Sequence, residues 1–327
     1  MTISRQMRIH AYGGPEMFRA DQVELPEPQA DEVLVRQHAA GVNFIDVYHR
    51  KGVFPLPALP GAIGVEAAGE VLACGSGVTA FAPGDRIAYA GPPIGSYADM
   101  RIMKAKGLVR LPDGIGYEEA AAIMLKGMTV HMLMTRVRRL SAGDTILVHS
   151  AAGGLGQLLG QWAASLGVRV IGTVGSPDKA EIARQSGCTE TILYKEADFV
   201  AAVDELTGGE GVDAVYEGLG GDILTRSLGC LKPFGHAINL GQVGKPLDSV
   251  ALADLGPQRS LTVSVPGVFA HLRTCNDLQG AADEMFAQVL SGNMRPRIGE
   301  RFALSNVASA HAKLEAGRTA GAIVLVP

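Results

Sequence analysis

The spacing of apolar positions changes character twice along this chain, and the changes mark out its parts. Early on, Glu32-Val-Leu-Val-Arg-Gln-His38 alternates apolar and polar residues, Gly64 to Ala73 is small and extended, and Asp85 to Ala90 forms another short strand, with Pro or Gly at each connection. Short strands with turn signals predict a small barrel or sandwich. From Tyr117 to about Val137 the period becomes helical, with Ala120, Ala121, Met124, Leu125, Val130, Leu133 and Met134 on or near one face. Strand and helix then alternate: strands at 145–149, 169–174, 191–194, 212–217 and 235–240, and helices at 155–166, 177–185, before 207 and near 223–231. Such alternation predicts a doubly wound parallel sheet covered by helices on both faces. Ser260 to Pro266 reads as a sixth, edge strand. Helices at 272–290 and 306–317 and a last strand at 322–326 return to the first domain, so that 126–265 is an insertion between 1–125 and 266–327.

The connection after the strand at 145–149 carries the most chemistry. His149-Ser-Ala-Ala-Gly-Gly-Leu-Gly156 joins an apolar strand to a helical pattern through small residues. A turn of this kind lets a backbone approach a pyrophosphate closely and aims the amide-rich start of a helix at its charge. Ala151, Gly153 and Gly156 fill the three positions of the usual G-x-G-x-x-G, with Gly154 extra; a close-packed connection of an ordinary sheet is the alternative. The next strand ends in Gly175 and Ser176, without the Asp or Glu that holds a ribose hydroxyl, and Lys179 stands one turn into the following helix. That favours the 2'-phosphate of NADP over NAD, although Asp178 stands beside Lys179.

Composition narrows the field further. The 327 residues are 47% hydrophobic and 19% charged, with a formal net charge of -4. No basic face for nucleic acid is evident, and the cluster Arg136, Arg138 and Arg139 reads as a solvated helix end. The most apolar stretch, Gly154 to Gly175, is interrupted by Gln157, Gln161, Ser165 and Arg169, too often for a membrane span. Arg5, Arg8, Glu16 and Arg19 leave no apolar signal core, and the expectation is a soluble, cytoplasmic protein. Cys74, Cys188, Cys230 and Cys275 stand far apart and read as small core residues, with no zinc knuckle.

Gly41-Val-Asn-Phe-Ile-Asp-Val-Tyr48, Gly64-Val-Glu-Ala-Ala-Gly69, Leu125-Lys-Gly-Met-Thr129 and Val148 to Gln161, with Gly13 to Glu16, Val78 to Arg86 and Gly172 to Gly175, resemble the zinc-independent quinone oxidoreductases of the medium-chain dehydrogenase/reductase superfamily. The resemblance implies a GroES-like β-rich catalytic domain joined to a Rossmann domain with a six-stranded sheet. In zinc-dependent relatives a Gly-His-Glu supplies a ligand; here that His is Val65, so no metal is expected. The implied activity is reduction of a quinone by NADPH, by hydride or overall by single electrons, with Tyr48 or a water giving the proton. An NADPH-dependent reductase of activated alkenes is the second reading, and an NADPH-binding structural or sensing protein is the reading of another class.

Position by position, the resemblance assigns Asn43, Asp46 and Tyr48 to the substrate cleft, with Asn43 near the nicotinamide. Lys126, Gly127 and Thr129 would line the cofactor where the domains meet. Ala152, Gly153, Gly154, Leu155 and Gly156 would hold the pyrophosphate, Gly175, Ser176, Lys179 and Tyr194 the adenosine 2'-phosphate, and Asn239 and Gly241 the nicotinamide end. Asn43 and Asp46 also fit a helix cap, Tyr48 a core aromatic and Thr129 a helix residue bonded to its own backbone. Phe54 stands where relatives can have a second cleft tyrosine, Ala164 replaces a basic or small polar residue, and Arg318 lies one residue later than a phosphate-binding arginine. A homodimer joined through the strand at 260–266, with Leu261, Val263 and Val265 alternating, is implied as well.

Overall fold

A computed structural model of the protein describes residues 2–244, 246–274 and 277–327. Cys275 lies outside them. The chain divides into two compact units, one of residues 1–128, 272–290 and 296–327, the other of residues 129–271 and 291–295.

The first unit opens with a hairpin, β1 (Thr2–Ile9) and β2 (Phe18–Leu25), followed by β3 (Glu32–Val42), α1 (Phe44–Lys51), β4 (Gly61–Ala62), β5 (Glu66–Cys74), β6 (Arg86–Ala90), β7 (Met100–Lys104), β8 (Val109–Arg110) and the start of α2 (Tyr117–Met132). β3 is its axis. It pairs antiparallel with β5 along nearly its whole length and with β7 at its first half, and its register with β5 shifts at Leu34/Val35 and Gln37/Ala39. These bulges bend the strand and increase its twist, as a closing sheet requires. At Gly69 a Cβ would stand 2.0 Å from the Arg36 carbonyl oxygen, so the two strands meet this closely only because the residue is glycine. Inside lie Val33, Val35, Ile63, Ala67, Val71, Ile87, Tyr89 and Tyr97, all buried.

The second unit contains β9 (Thr145–Val148), α3 (Gly154–Ser165), β10 (Arg169–Val174), α4 (Pro177–Gln185), β11 (Glu190–Leu193), α5 (Phe199–Thr207), β12 (Val212–Glu217), α6 (Asp222–Ser227), β13 (Leu231–Asn239), α7 (Leu252–Leu255), β14 (Thr262–Ser264) and most of α8 (Val268–Thr274). Among the described residues its six strands lie in the order β11-β10-β9-β12-β13-β14. Every pairing is parallel. The order reverses between β9 and β12, which makes the carboxyl edge there the place where such sheets bind ligands. Turn chemistry sets the helix starts: the Asp198 carboxylate caps α5 by accepting from the N–H groups of Val200 and Ala201, and α4 begins with Pro177. α3 can lie against the chain after α4 because Gly160 faces the Ser186 carbonyl oxygen, 2.7 Å from where a Cβ would be.

The apolar alternation at the edge strand turns inward. Leu261 is buried, Val263 packs against the unit's core, and Val265 is 74% exposed. Cys188 and Cys230 are buried, with burial pushing both thiols up to about 12, and Cys74 is half-buried. The chain then returns to the first unit with α9 (Leu278–Leu290), β15 (Ile298–Ala303), α10 (Val307–Glu315) and β16 (Ala322–Val326), the last pairing antiparallel with β3. No described helix is long and apolar enough to cross a membrane.

Candidate functional site

In the first unit the candidate residues gather around a carboxylate that the sequence reading mentioned only as part of a triplet. Glu66, at the start of β5, is fully buried. Its Oε2 accepts from the Leu125 backbone N–H at 2.6 Å, and its Oε1 accepts from Asn43 Nδ2 at 2.7 Å and from Lys126 Nζ at 3.1 Å. Lys126 Nζ also donates to Asn43 Oδ1 at 2.7 Å. A lysine can only donate and a carboxylate only accept, so these two partners fix which end of the Asn43 amide is oxygen. Gly41 leaves the space: a Cβ there would fall 2.2 Å from Glu66 Oε1 and 2.3 Å from the Ala121 carbonyl.

Asn43 is also the N-cap of α1, yet its side chain makes no capping bond. Asp46 does that work instead, its Oδ2 accepting from the Asn43 N–H at 2.8 Å. The reciprocal half of a capping box is thus present, and the Asn43 amide is released toward Glu66 and Lys126. Asp46 itself is completely buried, so it holds α1 and does not line a cleft. Behind it runs a chain of buried groups. Tyr97 OH donates to Asp46 Oδ2 at 2.8 Å and lies 3.2 Å from His311 Nε2, while Arg50 Nη1 stands 3.1 Å from His311 Nδ1. Arg50 can only donate, so Nδ1 accepts and Nε2 carries the proton toward Tyr97. Burial, then the Arg50 charge, lowers His311 to about 3, consistent with a neutral ring. Burial raises Asp46 to about 7 despite the bonds from Tyr97 and Asn43, with the Glu66 charge adding to the rise and Lys126 opposing it. Asp46 Oδ1 has no hydrogen-bond partner.

Tyr48 is half-buried on α1, edge-on to Phe54 with ring centroids 5.5 Å apart. Phe54 is exposed. Gly127 is buried on α2 one residue after Lys126, where a Cβ would meet Ile123 and the Met285 sulfur at 2.8 Å. Arg318 is exposed, just beyond α10.

In the second unit the remaining candidates, Thr129 on α2 apart, collect at the carboxyl edge of the sheet. The chain leaves β9 through Ser150 at φ 53°, a left-handed conformation uncommon for a residue with a side chain. Gly153 N–H then donates to the Ser150 carbonyl at 2.8 Å, and Gly153 is the N-cap of α3 with no side chain over the helix start. A Cβ on Gly156 would stand 2.6 Å from the Ser150 oxygen, and one on Gly153 3.1 Å from it. Ala152, Gly153, Gly154 and Leu155 therefore form a bare backbone cradle at the start of a twelve-residue helix, with the helix dipole behind it. This fits a pyrophosphate.

Beyond β10, Gly175 packs under Tyr194, whose hydroxyl would lie 3.1 Å from a Cβ. Ser176 is the N-cap of α4 with no side-chain bond of its own, and Lys179 is half-buried in the first turn. At the end of β13, Asn239 is buried and donates from Nδ2 to Glu217 Oε2 at 3.0 Å, while Glu217 Oε1 takes the N–H groups of Leu219 and Gly220. Glu217 was not foreseen; it ties the ends of β12 and β13 together and half-buried Gly241 follows. His149, beside the loop, is a core residue between Thr173 and Ser227 at 2.9 Å each, lowered by burial to about 4.

Comparison with known proteins agrees with this layout. Residues 29–113 match the family described as alcohol dehydrogenase GroES-like domain, and residues 154–285 match that described as zinc-binding dehydrogenase. The chain is 44% identical to a quinone oxidoreductase of Pseudomonas aeruginosa, over 99% of this chain and 100% of that protein. It belongs to the quinone oxidoreductases of the medium-chain dehydrogenase/reductase superfamily. A 2-haloacrylate reductase of Burkholderia is 37% identical over 98% of each chain. The crystal structure of the Escherichia coli quinone oxidoreductase complexed with NADPH superposes with a TM-score of 0.95 at 36% identity, covering 99% of this chain and 100% of that one. The zinc in the second family's description finds no matching donor set. Val65 precedes Glu66, the Glu66 oxygens are taken by three donors, and no group of three or more His, Cys, Asp or Glu among the described residues could hold a metal.

The elevated Asp46 has a thermodynamic signature. Its folded-state value lies above the ordinary 3.8, so the stability it contributes is full below pH 4 and lost as pH rises through about 7. Asp46→Asn keeps the acceptor for Tyr97 and removes that slope. Relative to wild type, the variant should gain on the order of 2–4 kcal/mol between pH 4 and pH 8 in urea unfolding; a difference that does not vary with pH would show an ordinary, ionised Asp46.

Proposed function

We propose that this protein reduces quinones with NADPH, the second unit holding the cofactor and the first presenting the groups that meet the acceptor. The observation that carries this reading is the end-to-end likeness to the Pseudomonas aeruginosa quinone oxidoreductase. NADPH, when bound, supplies the hydride and electrons that the quinone takes up. The pyrophosphate is held by the backbone from Ala152 to Gly156, and the 2'-phosphate by Ser176, Lys179 and Tyr194 around Gly175, with no carboxylate at the end of β10 to repel it. Asn239 and Gly241 receive the nicotinamide end. Tyr48 and Phe54 offer aromatic faces on which a flat acceptor stacks, while Asp46 acts at one remove by holding the turn that carries Asn43. Thr129, Gly127 and Arg318 are assigned to the cofactor on the family resemblance.

The Burkholderia relative supports a second reading, reduction of an activated alkene. Parallel turnover of 1,4-benzoquinone and 2-chloroacrylate decides between them. A cytoplasmic setting, where reduced nicotinamide is maintained, goes with either, as does a homodimer formed through the free edge of β14. Fluorescence titration should give NADPH a dissociation constant at least about tenfold below that of NADH, and Lys179→Ala should erase most of that difference, the loss of about one charge-assisted hydrogen bond; equal affinities in the wild type would contradict the NADP assignment. Light scattering should give twice the chain's 34.1 kDa, and a single-chain mass would contradict the dimer.

A further inference from the structure

The groups around Glu66 do more than position Asn43. Lys126 is anchored on two sides, by Asn43 Oδ1 at 2.7 Å and Glu66 Oε1 at 3.1 Å, with a side chain 13% exposed. An ammonium has three N–H donors. Two are committed to these anchors, and the third N–H is left for a further acceptor beside this partly exposed side chain. Glu66, with none of its side chain exposed, keeps a positive charge at this spot against the cost of burying it. The remaining candidate for proton delivery, Tyr48, is a neutral phenol. It carries no charge with which to stabilise an oxygen that turns anionic.

We propose that Lys126 is the catalytic acid of the reduction, its free N–H hydrogen-bonding the acceptor oxygen and then protonating it. The proposal rests on the reductase reading above and names the group that completes it. A quinone that has gained a hydride is a hydroquinone monoanion, and its charge sits on oxygen. The Lys126 N–H bond breaks, an O–H bond forms, and neutral hydroquinone and neutral Lys126 result. Solvent returns the proton, and Glu66 and Asn43 hold the nitrogen throughout. On an activated alkene the same ammonium steadies the enolate oxygen.

The test compares wild type with Lys126→Ala and Lys126→Arg in three readouts: melting temperature, NADPH affinity by fluorescence titration, and 1,4-benzoquinone turnover at saturating NADPH. With NADPH kept saturating for each variant, both should lose roughly 100-fold or more in kcat, the range typical of a lost general acid. Arginine keeps a cation on Asn43 and Glu66 but does not release its proton. It decides the matter if the alanine variant melts early. Turnover by Lys126→Arg within about threefold of wild type would overturn the proposal, as would losses in both variants that vanish into weaker NADPH binding. Wild-type protein that binds NADPH but reduces neither a quinone nor an activated alkene would defeat the reductase reading, and this proposal with it.

Discussion

A single buried carboxylate organises the first unit. Glu66 accepts hydrogen bonds from a backbone N–H, an amide and an ammonium, and these come from two other segments: Leu125 and Lys126 from α2, Asn43 from the junction of β3 and α1. Burying a carboxylate without those donors would be costly. The glycine at position 41 exists to let it in, since any side chain there would collide with its oxygen. Helix, strand and turn are thus held by one charge that is costly to leave unpaired, which makes the arrangement specific as well as stable.

The same economy of parts recurs at α1. Its N-cap side chain is spent on Glu66 and Lys126, so Asp46 caps the helix from within, and Asp46 in turn is held by Tyr97, His311 and Arg50. In the second unit the logic is inverted. There the loop after β9 is built by removing side chains, with Gly153 and Gly156 folded against the Ser150 carbonyl and a helix start left bare. One unit is thus organised by buried charges and the other by open backbone at a helix start.

Much of this could be read before any coordinates. The parallel sheet was legible because its strands are nearly continuous apolar runs and its connections are short, and β9, β10 and β12 fall within a residue of where the pattern puts them. The elements that escaped were those whose polarity misleads. The β1–β2 hairpin mixes charged residues with the buried Met7, Ile9 and Phe18, β15 alternates on a partly exposed edge, and α1 buries Asp46 and Arg50 on its inner face, so its apolar stripe is hidden. Asn43, Lys126 and the glycine loop stand in motifs that the sequence displays. The roles of Glu66, Tyr97 and His311 are not legible in it, because a buried polar network joins residues as far as 261 positions apart and leaves no local period. The one available sign was Gly41, a glycine inside a strand pattern, which marks a close approach.

Glu66 accepts from three donors at once, and Glu66→Gln tests that role most directly. Glutamine has nearly the same shape, but it offers one acceptor oxygen and sets an NH2 against groups that can only donate. With NADPH affinity measured alongside, quinone turnover should fall by about 100-fold or more while NADPH binds within about threefold of wild type. A Glu66→Gln protein that turns over quinone at the wild-type rate would contradict it.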